Sequence, residues 1–275
     1  MFGKKKPENP PAPPANSPPK QPSGGGGPPE NPPPEGLPLP WAGWTDEIGC
    51  NFALGHLIQN LGVPLTRDGR IHAETTMCAV GAVAGSCAQI SLLNDRVAYD
   101  KAVTQENGIV VVKTNDGREW LYGEAINHML TSADPAIAPM RVWNNMAGGA
   151  IGAGLSPDDL PTLEQVFGHV TQALGGPMDG RPSVEMKHQP HLTVLDALKI
   201  VWPVAHDCLT GNISEICRKN GFAAADTSWA AVSAVAAGRI LIQVAQVLPP
   251  KVALIIGMES AIWASKIMSP LKPQT

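Results

Sequence analysis

Side chains able to do chemistry fall in three short strings. The first is His72-Ala73-Glu74. An H-x-E triplet is half of a zinc-deaminase signature, in which His and two thiolates hold the metal and Glu shuttles protons. The other half, P-C-x-x-C, is missing, since Cys78 and Cys87 are nine residues apart and so are Cys208 and Cys217. The triplet therefore reads as the polar first turn of a helix. Glu74 would be favoured by the positive end of the helix dipole, and His72 would cap the helix or face water. The second string is His188-Gln189-Pro190-His191, with Asp179 and Glu185 nearby. Two imidazoles bind zinc only when further ligands converge on them, so His188 and His191 are candidate metal ligands against a background of solvated loop histidines. The third is His206-Asp207-Cys208. Adjacent helical positions diverge by about 100°, so these three cannot act on one atom. Cys208 reads as core and Asp207 as exposed.

Glu259 stands apart, in the apolar run KVALIIGMESAIWASKIM. A buried carboxylate must be paired, hydrogen-bonded or neutralised. Arg239, isolated among apolar residues 234–247, is the expected partner, and a buried Arg239–Glu259 ion pair would lock the last two helices together. The alternatives are a Glu259 that reaches the surface near Lys266, or a functional carboxylate. His56, His72, Glu74 and Glu259 are the candidate ligand-binding residues, and His191 joins the first three as a nominee for an assembled active site. Nucleophile-elbow, Walker and dinucleotide glycine motifs are absent; Gly85-Ser86-Cys87 lacks both the spacing and the preceding strand. No cofactor is expected.

The elements that must position these residues follow from hydrophobic period and punctuation. Residues 1–40 hold 15 of the 28 prolines and the run Gly24 to Gly27, with little to bury. They are expected to form a disordered tether, with a docking ligand in its loose PxxP strings as the alternative. A single helical domain is expected over 41–270, followed by a short tail, 271–275. Its first helix should span 46–61, capped by Thr45 and stopped by Gly62 and Pro64. Residues 71–93 carry no charge after Glu74 and are crowded with Ala, Gly, Ser, Thr and Cys. A helix apolar on nearly all sides belongs in the middle of a domain or in a membrane. It is placed here at the hub.

A short helix to about 103 follows. Residues 109–113 and 119–122 flank Asn115-Asp116-Gly117 and read as one hairpin, docked by Trp120 or Tyr122. Further helices are expected at 124–130, 140–148 and 162–174, the last opened by a Thr162/Gln165 capping box. A polar loop covers 177–192. Then come a helix from 193 to 211 kinked at Pro203, a short one ended by Gly221, and an apolar pair at 227–248 and 251–268. The fold class is mainly α: a helical bundle around a buried small-residue helix with one docked β-hairpin.

The formal charge is −4 and basic residues are scattered apart from Lys4 to Lys6. A nucleic-acid partner would call for a basic stripe, and none is seen. Five cysteines without close pairing argue against a disulfide framework and for a reducing, cytoplasmic setting. Polar interruptions argue against a membrane span. The leading functional expectation is a non-enzymatic interaction or scaffold domain, meeting a protein partner through the tail or an apolar surface. The alternatives are a helical binder of a small molecule or lipid, and a metal-dependent enzyme whose site is assembled from scattered His and Glu.

Overall fold

Every residue from Thr75 to Gln89 is buried. That run covers four turns, so all faces of its helix are enclosed. The computed structural model describes residues 39–106, 108–113 and 117–268. Of the expected tails, 1–38 and 271–275 lie outside the described residues. The described part is mainly helical, with ten α-helices and one small antiparallel sheet. The helices are α1 (Glu47–Asn60), α2 (Ala73–Asn94), α3 (Arg96–Thr104), α4 (Glu124–Thr131), α5 (Val142–Gly152), α6 (Leu163–Ala173), α7 (Val194–Leu209), α8 (Glu215–Asn220), α9 (Trp229–Val244) and α10 (Pro250–Lys266).

Helix α2 is the hub. It runs parallel to α10, and the two backbones nearly touch. A Cβ on Gly81 would overlap the carbonyl of Gly257, and one on Gly85 would overlap that of Ala261. Ordinary side chains hold helix axes roughly 8–10 Å apart, so glycine here is a condition of the contact. Helices α9 and α7 also lie against α2, α1 packs on α7 and α9, and α5 packs on α9 and α10. Residues 73–94 and 226–244 are long and apolar enough to cross a membrane, but 89% and 72% of their apolar windows are buried inside the fold. All five cysteines are buried and free.

The hairpin forms β1 (Val110–Lys113) and β2 (Glu119–Tyr122) in the register Val110↔Tyr122 to Lys113↔Glu119. Trp120 anchors it, edge-on to Trp263 of α10 with ring centroids 5.4 Å apart. A third strand was not expected. The last helix stops at Lys266, and β3 (Ile267–Met268) pairs with β2. The Gln89 side-chain amide, buried in α2, donates to the Ser265 and Ile267 carbonyls and takes up acceptors that the helix end leaves open. A smaller correction concerns a helix end. The cap of α1 is Asp46 rather than Thr45, and its carboxylate accepts from the Ala225 backbone at 2.8 Å and the Cys50 thiol at 3.3 Å rather than from an amide at the helix start. Helix α7 continues through Pro203, which is exposed.

The polar loop expected over 177–192 lies within residues 174–193, which join α6 to α7. They form a strap lying across α2, α10 and the start of β2. Its only regular piece is a 3-10 turn, Met186–His188. Long irregular segments inside compact domains are uncommon and usually functional. This one is tied down repeatedly. Asp179 accepts from Trp263 Nε1 at 2.7 Å and from Arg118 at 2.9 Å. Ser183 bonds Glu259, His188 meets Glu74, and the His191 amide donates to Thr75 Oγ1.

Candidate functional site

His72 is the N-cap of α2. Its Nδ1 accepts from the Thr75 amide at 3.3 Å and lies 2.8 Å from Thr75 Oγ1. With Nδ1 accepting, the ring proton sits on Nε2, which is 3.2 Å from Glu74 Oε2. The second Glu74 oxygen lies 3.1 Å from His188 Nδ1. Glu74 is thus held between two imidazoles. Burial alone would raise its pKa, but the His188 hydrogen bond and the two nearby rings outweigh burial, and the net shift is downward from 4.5. His72 is also shifted downward from its ordinary value: burial lowers its pKa, Glu74 opposes this, and neighbouring His191 adds to the lowering.

His191 stacks on His72, with centroids 3.6 Å apart and planes 17° from parallel. The strap therefore brings the second histidine string onto the first. These residues form one wall of a cleft of about 480 Å³. Its apolar surfaces are Pro64, Leu65, Ile71, Leu192 and Ile200, and its lip carries Arg67 and Arg70. The two arginines face each other across a two-residue turn closed by reciprocal backbone bonds of 2.9 Å. Asp68 and Gly69 occupy its centre at φ 50° and 72°, the left-handed region that a two-residue hairpin of this kind requires. No carboxylate lines the cleft. Among the described residues neither guanidinium has an acidic partner.

The other candidates separate from this cluster. The expected Arg239–Glu259 pair does not form: Arg239 is exposed on α9, while Glu259 is 3% exposed and turned toward the strap. Its oxygens accept from the Ser183 amide at 2.6 Å and the Ser183 hydroxyl at 2.5 Å, and His169 Nε2 lies 3.8 Å away. Burial pushes the Glu259 pKa up from 4.5, and the Ser183 bonds and His169 offset only part of this. Glu259 is a structural tie, partnered by residues that the linear pattern did not single out. His56 sits on α1, its Nε2 4.0 Å from Cys217 Sγ, and does not line the cleft.

His188 and His191 are engaged separately. One ring is engaged by Glu74 and the other by the His72 stack, and no group of three or more His, Cys, Asp or Glu is arranged to hold an ion among the described residues. The thiols of Cys50, Cys78, Cys87 and Cys208 are pushed up to about 12 by burial, which leaves them protonated and poorly nucleophilic. Sequence reasoning missed Arg67 and Arg70 as site residues, reading them only as turn flanks. Two cations immediately before a histidine-capped helix were the available signal. Compared with protein-family models, curated proteins and solved structures, the chain gives no match in any of the three.

Proposed function

We propose that this chain is a small-molecule-binding protein whose ligand sits in the cleft between the Arg67–Arg70 turn, the start of α2, the strap and α7. The observation that carries the reading is the cleft itself. Its volume of about 480 Å³ falls in the range of small-molecule sites, and its lining is mostly apolar with a few polar groups on one wall. The polar wall is held by the His72, Thr75, Glu74 and His188 bonds and so is set before a ligand arrives. Preorganisation of this kind lowers the cost of binding. Free buried thiols fit a reducing compartment.

Ile200 is 38% exposed and lines the cleft, so Ile200→Trp can fill it without disturbing the core. Ligand-observed NMR with a fragment library should give hits on the full chain that disappear in this variant. Hits that persist in Ile200→Trp, or a library that yields none, would overturn the reading.

A protein-interaction role keeps one specific support. Strand β1 is the outer strand of the sheet, and Val110, Val111 and Val112 are 43%, 52% and 41% exposed. An open apolar edge invites pairing with another strand. Val111→Lys should reduce self-association or partner capture in sedimentation if that edge is used. An unchanged profile would remove this support. The metal-dependent reading gains none, because the two histidine strings are engaged by each other and by Glu74.

A further inference from the structure

The cleft has an electrical character at odds with the chain around it. The protein carries a formal charge of −4, yet the charged side chains lining the cleft are two arginines. Residues paired directly across a hairpin project from the same face, with their Cβ atoms about 5 Å apart. The Arg67–Arg70 pairing therefore aims two guanidiniums at one region of the lip. Guanidiniums match carboxylate and phosphate oxygens through paired N–H donors. Behind them Leu65 is buried, while Ile71 and Ile200 remain 56% and 38% exposed with no covering side chain to complete the wall.

We propose that the ligand is an amphipathic organic anion: an apolar chain or ring bearing one carboxylate or phosphate, its head at Arg67 and Arg70 and its body over Leu65, Ile71, Leu192 and Ile200. This rests on the cleft being a binding site and adds the class of molecule. A head group alone would leave the apolar wall exposed. An uncharged tail alone would leave two cations facing it without a counter-charge. The stacked His72 and His191 rings form the side wall and give the body a flat surface. Glu74 sits behind His72, tied to His188, and does not reach the lining.

The test is isothermal titration of the full chain with octanoate, octyl phosphate, octanol, acetate and inorganic phosphate, repeated with Arg67→Gln/Arg70→Gln and with Ile200→Trp. Circular dichroism checks that each variant folds. Octanoate or octyl phosphate should bind roughly tenfold tighter than octanol, a gap set by two partly exposed charge-assisted contacts. The double arginine variant should bring the anion down to the octanol level, and Ile200→Trp should abolish both. Which of the two octyl anions binds tighter identifies the head group. Equal binding of octanol and the anions would overturn the anionic assignment while leaving the cleft as a binding site. Inorganic phosphate binding as tightly as octyl phosphate would overturn the amphipathic assignment. Titrations that Ile200→Trp leaves unchanged, or no binding by any probe, would overturn both.

Discussion

Helices α2 and α10 are joined twice, by two different kinds of physics. Along their length they meet directly, through Gly81, Gly85, Gly257 and Ala261, with nothing between the backbones. At the side they are joined by the strap of residues 174–193, which reaches α10 through Asp179 and Ser183 and α2 through His188 and His191. The first contact is apolar and dry, and it depends on the absence of side chains. The second depends on particular side chains, several of them ionisable. The dry contact makes the scaffold; the strap brings His191 and Leu192 to the cleft. A protein arranged this way can tune its site through the strap without loosening the joint on which its core depends.

Substitutions should separate the two. The largest effect is expected in the dry contact. Gly85→Val places branched carbons where the Ala261 carbonyl already lies, and a helix cannot shift there without uncovering the core. Overpacking usually costs about 1–3 kcal/mol, and a backbone overlap belongs at or above the top of that range. Thermal unfolding should show a Tm loss of many degrees, or no folded protein. A Tm within two or three degrees of wild type, by order of magnitude less than about 1 kcal/mol for a domain of this size, would break the comparison.

Asp179→Ala should cost less. It leaves the Trp263 indole N–H without its acceptor and removes one contact of Arg118. An unsatisfied buried donor costs about 1–3 kcal/mol. The loss should be local, with hydrogen exchange rising across residues 177–192 before it rises in α2 or α10. Uniform loss of protection would mean that the strap and the dry contact unfold as one unit, and the two-joint description would fall.

The same division explains what could be read in the chain before its fold. The burial of residues 75–89, within the expected hub of 71–93, was legible because small-residue composition and absent charge act locally, on every turn of one helix. The Thr162/Gln165 capping box formed as expected, since its partners are three residues apart. The strap was not legible in this way. Its ties run 76 residues from Ser183 to Glu259 and 114 from His188 to Glu74. No period or spacing encodes a bond of that range, so the expected partner of a buried Glu259 was Arg239, a cation isolated in an apolar run. That assignment assumed that a buried carboxylate needs a charge; two hydrogen bonds from Ser183 and a histidine at 3.8 Å serve instead. Residue types marked His72, Glu74, His188 and His191 as notable, but only the folded strap stacks one string on the other. Strand β3 was hidden for a similar reason: Gln89 ends α10 from another helix.

The finest prediction concerns the two carboxylates that tie down the strap, which should respond to pH in opposite senses. Glu259 has a raised pKa, so its folded environment prefers the protonated form. The stability it contributes is complete below 4.5 and declines as pH rises from there through its raised folded value. Glu74 has a lowered pKa, so its ionised form is preferred, and its contribution is complete above 4.5 and declines as pH falls through its depressed folded value. Glutamine keeps the shape and removes the titration. Glu259→Gln should therefore gain on wild type as pH is raised from 4 to 7, since it avoids desolvating a charge while still offering Ser183 an acceptor. Glu74→Gln should do the reverse, approaching wild type toward pH 3 and falling behind it at neutral pH. The groups facing Glu259 are Ser183 from the strap and His169 from α6, and those facing Glu74 are His72 and His188. Urea unfolding of the three proteins across that pH range reads both slopes directly. Parallel slopes would show that the two ties act through one shared network, and the strap would then have to be treated as a single switch.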